Sequence, residues 1–132
     1  STTYNLASKY LDFSIHVNNS IRYEVIEMAH FYLNEATEIL KNDNTPNKLA
    51  FAQKCELLKL KHHLIVNRPK KALRLLKKYK NVKIEEINQY LFSFLHYTAY
   101  KLLKDEEKAL TWKPKVSNID LNKTNLIQKI NL

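Results

Sequence analysis

The chain contains no glycine in its 132 residues. Glycine is the residue that enters the left-handed backbone region freely and lets backbone approach a ligand without a Cβ in the way. Its absence excludes phosphate-binding P-loops, GxGxxG dinucleotide turns, GxSxG nucleophile elbows and EF-hand loops. The tight Asn-Gly and Asp-Gly turns that join hairpin strands are excluded as well. An all-α fold remains for a chain whose 45% hydrophobic content is enough to close a core. The length points to one such core.

Apolar positions recur every three or four residues, and the breaks fall at turn formers. Leu6, Tyr10, Phe13 and Val17 form one stripe of a first helix over 4–17. Asn18-Asn19-Ser20 ends it, with Ser20 as the next N-cap. A second helix over 21–42 carries Val25, Met28, Tyr32, Ala36 and Leu40 along one side, and Asn42-Asp43-Asn44 closes it. Thr45 caps a third helix with Pro46 at its first position, running to Val66 and burying Leu49, Phe51 or Ala52, Cys55, Leu58 and the Leu60/Leu64 side. Pro69 opens a fourth helix, to about Tyr79, with the stripe Ala72, Leu73, Leu76 and Tyr79. A fifth runs over 84–103 with Glu85 and Glu86 in its first turn, where the helix dipole favours acids. Asp105 caps a sixth that ends near Trp112-Lys113-Pro114. No segment alternates long enough to read as a strand. The aromatic residues recur mostly at helical intervals, which points to packing rather than to base stacking.

Two stretches repeat. Leu64-Ile65-Val66-Asn67-Arg68-Pro69-Lys70-Lys71-Ala72-Leu73 aligns with Lys101-Leu102-Leu103-Lys104-Asp105-Glu106-Glu107-Lys108-Ala109-Leu110, each a helix end, a polar turn and a Lys-Ala-Leu opening. Ala36 precedes Ala72 at a comparable distance. In this arrangement the chain resembles the tetratricopeptide (TPR) repeat over roughly 46–116, with Ala72 and Ala109 at the family's small-residue position and Asn67 and Lys104 where it has a turn glycine. The resemblance implies antiparallel helix pairs over about 4–42, 46–79 and 84–116, stacked as a short right-handed superhelix. Together they form a helical-repeat domain over 1–116, followed by a tail or capping helix over 117–132 in which Leu121, Leu126, Ile127 and Ile130 supply an apolar side.

The net charge of +9 is concentrated: eleven basic residues and one acid, Glu56, fall between Lys54 and Lys83, so this stretch carries +10 and the rest −1. On the fourth helix Lys70, Arg74, Lys77 and Lys78 fall at i, i+4, i+7 and i+8, opposite the apolar stripe and joined by Lys71. Such a patch attracts acidic partners, phosphates among them.

Elsewhere the chemistry is sparse. Glu27-Met28-Ala29-His30 has the Glu-x-x-His spacing of bundle metal sites, but the second motif such sites need is missing, so it reads as an exposed acid beside a partly buried imidazole. His62 and His63 diverge by about 100° on a helix and cannot share one mononuclear site. The single cysteine, Cys55, lies on an apolar side and reads as packing. The expectation is a non-enzymatic module without cofactor or metal. The lone cysteine, the absence of a signal-peptide pattern and the absence of a membrane-length apolar run point to the cytoplasm.

The TPR resemblance further implies a concave groove lined by the first helix of each pair. Its residues would be Lys54, Leu57, Leu58 and Lys61 in one repeat and Leu91, Phe94, Thr98 and Lys101 in the next. The function expected from it is binding of a protein or peptide, acidic by charge, within a regulatory or peptide-sensing protein. Some intracellular peptide-pheromone receptors of low-GC bacteria are similar in style. The alternative is a basic helical module that binds nucleic acid through its phosphates, without membrane contact.

Overall fold

The computed structural model describes residues 2–14, 19–41 and 48–113. Among them every regular element is helical: α1 (Thr2–Ser14), α2 (Asn19–Lys41), α3 (Lys48–Ile65), α4 (Pro69–Leu76) with a 3-10 turn at Lys77–Tyr79, then a 3-10 turn at Glu86–Asn88, α5 (Gln89–Leu102) and α6 (Glu106–Trp112). The expected turn at 42–44, the caps Thr45 and Pro46, Val17, and the tail 117–132 lie outside the described residues. The chain divides into two compact units, Ser1–His62 and His63–Leu132, and the division falls near the end of α3.

In the first unit α1 packs on α2, with Tyr10 stacked on Tyr32 at 5.5 Å between ring centroids. A ladder of polar contacts joins α2 to α3: His30 to His62, Asn34 to Lys59, and Thr37 to Cys55. Rising numbers on α2 meet falling numbers on α3, so the two helices run antiparallel. The buried stripe of α2 is Ile26, Ala29, Leu33 and Ala36, and that of α1 includes Ala7 and Leu11. Both are rotated by about one position from the expected stripes, leaving Leu6 and Met28 exposed. The alanines explain the rotation: small side chains let neighbouring helices approach, and the bulkier Met28 is turned outward. Leu49 is likewise exposed rather than buried, while Phe51 and Ala52 are half-buried. Ser20 sits inside α2 rather than capping it, since the helix already includes Asn19.

In the second unit α4 packs on α5 and α5 on α6. In the contacts Lys101 to Glu106, Tyr100 to Lys108 and His96 to Trp112 the numbers fall along α5 as they rise along α6, so that pair is antiparallel. Phe92 is the aromatic centre, meeting Tyr79 and Trp112 edge-on at 6.1 and 5.9 Å. Pro69, Ala72, Leu76 and Tyr79 are buried, as the stripe on α4 requires, with Leu73 half-buried. The fifth helix starts later than expected. Glu85 is extended, Glu86 begins the 3-10 turn, and α-helix begins only at Gln89.

The turns after α3 and α5 are built alike. Asn67 and Lys104 both take left-handed backbone, at φ 58° and 59°. In the first turn the Asn67 N–H donates to Leu64 O at 3.0 Å and the Arg68 N–H to His63 O at 2.6 Å. In the second, the Lys104 N–H donates to Lys101 O at 3.0 Å and the Asp105 N–H to Tyr100 O at 2.9 Å. Each is a Schellman motif, satisfying carbonyls the helix end would leave open. The next helix begins identically, with the Ala72 N–H donating to Arg68 O and the Ala109 N–H to Asp105 O. Asp105 also accepts from the Lys108 N–H through its side chain, a cap that Arg68 does not provide. Ala72 and Ala109 therefore occupy the same position, and both are buried. Ala36 does not share it, lying well inside α2.

Left-handed backbone costs a β-carbon-bearing residue about 1 to 2 kcal/mol, less for asparagine, whose side chain bonds locally. Lys104→Gly is expected to stabilise the protein by about 0.5 to 1 kcal/mol and Asn67→Gly by less, read as the unfolding midpoint. Ala72→Phe or Ala109→Phe is expected to destabilise by roughly 1 to 3 kcal/mol through overpacking. A lower midpoint for Lys104→Gly, or unchanged melting of both Phe variants, would contradict the turn and packing geometry.

Candidate functional site

The expected groove residues separate into two groups. Leu57, Leu58, Phe94 and Thr98 are buried; Lys54, Lys61, Leu91 and Lys101 are half-buried. In this structure the first four belong to the buried core. On α5, Ser93, Phe94, Leu95, Tyr97, Thr98 and Ala99 are all buried, so most of the helix circumference faces protein and little is left to form a groove wall. Thr98 has no solvent exposure through which a ligand carbonyl would reach its hydroxyl. Lys101 is held by Glu106, whose two carboxylate oxygens both lie 3.0 Å from its Nζ.

Lys70, Arg74, Lys77 and Lys78 are exposed, Lys71 is half-buried, and the neighbours Arg68 and Lys80 are exposed as well. Among the described residues the ion pairs Lys41–Glu38, Lys101–Glu106 and Lys108–Asp105 all lie away from this basic patch. Lys78 rests over the Tyr79 ring at 5.4 Å, a contact that leaves its charge uncompensated. The apolar side of α4 faces the protein, so what the helix offers to solvent is almost purely cationic. An open depression of about 670 Å³ lies in the same unit, lined by Ile84, Gln89, Tyr90, Phe92, Ser93 and Trp112.

Two contacts were not foreseen. His96 stacks on Trp112 with centroids 3.9 Å apart, its Nδ1 2.9 Å from Phe92 O. His30 Nε2 lies 3.1 Å from His62 Nδ1, with the rings edge-on. The second contact needs one nitrogen to donate and the other to accept, so it requires that not all four ring nitrogens carry protons. Helical spacing alone places neither pair, because each joins residues of different helices. Glu27 is exposed and His30 half-buried, the bland reading of Glu-x-x-His. Among the described residues no three His, Cys, Asp or Glu side chains gather as for a metal ion. Burial raises the pKa of the Cys55 thiol, against a smaller opposing effect of the Thr37 side-chain hydrogen bond, which keeps the thiol protonated and poorly nucleophilic. No described helix is long and apolar enough to cross a membrane.

Comparison with protein-family models, curated proteins and solved structures finds no match.

Burial, then the Lys59 charge, hold His30 below its ordinary value. The unfolded chain therefore binds more protons than the folded one between the lowered value and about 6.5. His30 supports the fold fully above that window and progressively less as pH falls through it. Denaturation midpoints are expected to drop between about pH 7 and pH 5, and His30→Gln is expected to remove part of the drop. A wild-type midpoint that rises on acidification through this window would contradict the assignment.

Proposed function

We propose that the chain is a non-enzymatic interaction module of tandem helical hairpins, TPR-like in arrangement, that binds a protein or peptide partner. The observation that carries this reading is the pair of equivalent turns, each with left-handed backbone at its first residue and a buried alanine four positions after its second. Stacked helical repeats of this kind present side surfaces that serve as binding faces. The regulatory or peptide-sensing role belongs to the same proposal. Of the groove residues expected from the resemblance, Leu57, Leu58, Phe94 and Thr98 are buried, so Phe94→Ala would open a cavity costing about 3 to 5 kcal/mol and report on folding instead of binding.

The exposed α4 face supports a second reading, contact with nucleic-acid phosphates. The two are separated with immobilised chain, wild type and with Lys70, Arg74, Lys77 and Lys78 all changed to Gln, exposed to nuclease-treated lysate of the source and washed at high salt. A protein retained in fixed stoichiometry by both chains is the expected result. In a parallel run with untreated lysate at low salt, retention of nucleic acid only, with a salt slope flattened by up to about four contacts in the Gln variant, would replace the first reading by the second.

A further inference from the structure

The outer face of α2 carries a row of side chains that its own unit does not use. Glu24, Met28, Phe31, Glu35 and Ile39 follow one another at spacings of four, three, four and four, which aligns them on one side of the helix. This side lies opposite the buried stripe Ile26, Ala29, Leu33 and Ala36. Met28 is 41%, Phe31 55% and Ile39 54% exposed. Single exposed apolar residues are ordinary on any surface, whereas here three share one side of the same helix, Met28 and Phe31 as neighbours and Ile39 two turns further on.

Phe31 is held in place. Its ring meets Tyr32 edge-on at 5.4 Å, and Tyr32 in turn stacks on Tyr10. The row is also acidic: Glu24, Glu27, Glu35 and Glu38 are all exposed along it. Glu38 pairs with Lys41 three positions on, and no described cation pairs with the other three. In a chain of net charge +9, the three remaining carboxylates on one helix side make a local field opposite in sign to that of the whole.

We infer that this face of α2 docks a basic amphipathic helix of a partner protein, with Phe31 as the central apolar anchor and the glutamates pairing with flanking Lys or Arg. The inference rests on the interaction-module reading and names the class of partner. A straight row in which Met28, Phe31 and Ile39 alternate with Glu24 and Glu35 matches the ridge of an amphipathic helix that carries both apolar and basic side chains. The row spans Glu24 to Ile39, about 22 Å at 1.5 Å per residue, enough for some four turns of a partner. Its charge repels nucleic acid and acidic peptides, so it is distinct from the α4 face.

The test uses the full chain and a labelled peptide of about 18 residues, five turns, made only of Leu and Lys in 3.6-residue amphipathic order. A peptide of the same composition with its apolar side scrambled is the control, and fluorescence anisotropy is the readout. The ordered peptide is expected to bind and the scrambled one at least roughly tenfold more weakly. Phe31→Ser is expected to cost at least roughly tenfold. Glu27→Gln with Glu35→Gln is expected to remove most of the salt dependence, and the four-Gln α4 variant to bind like wild type. Met28→Gln with Ile39→Gln supplies a second apolar loss should Phe31→Ser fail to fold. Wild-type affinity in both apolar variants, equal binding of the scrambled peptide, or a dimer of this chain that Phe31→Ser dissociates would each overturn the proposal. Retention of a lysate protein by a Phe31→Ser chain would do so too while leaving the interaction-module reading intact; no retention by any chain would remove that reading itself.

Discussion

Two helices of this protein end in a left-handed residue that is not glycine, and the direction of the next helix depends on each. At Asn67 and Lys104 the backbone turns through φ of 58° and 59°, which lets two N–H groups fold back onto the carbonyls of the preceding helical turn. Without that reversal the carbonyls at the ends of α3 and α5 would need other donors, and the chain would leave each helix in a different direction. The energetic cost is local. What offsets it is the burial of Ala72, Leu76 and Tyr79 after one turn and of Ala109 after the other.

These turns were legible as positions before their geometry was known. Asn67 and Lys104 stand at matching places in two aligned ten-residue stretches, and the proline and aspartate that follow mark helix starts. The left-handed backbone at Lys104 was not legible, because lysine has no preference for it and only the helix packing beyond requires it. Helix number and the apolar side of α4 were readable because its cationic and apolar residues separate cleanly. On α1 and α2 two adjacent stripes each contain apolar residues, and periodicity cannot choose between them. Packing selected the one with alanines, so Met28 went outward and Ala29 inward.

The burial of half of the expected groove residues has a related reason. Leu57, Leu58, Phe94 and Thr98 occupy the right register on their helices, but α3 and α5 bury more than one side. A helix apolar around most of its circumference is a core element, and its register says nothing about what a partner can touch. Charge was more informative than register. The cations of α4 lie outside because solvation leaves them nowhere else to go, and the glutamates of α2 lie outside for the same reason. The two faces differ in what accompanies the charge: little apolar surface on α4, and an apolar row on α2. Polyanions match the first kind of surface and amphipathic protein segments the second.

The tandem turns are tested most directly by residue-resolved amide hydrogen exchange. Amides at Asn67, Arg68, Lys104 and Asp105 are expected to be protected together with the helices they close, since each donates to a carbonyl of the preceding turn. Exchange at these four positions as fast as in an unstructured peptide, with the flanking helices protected, would show that the turns are open and that the two stretches are not a structural repeat.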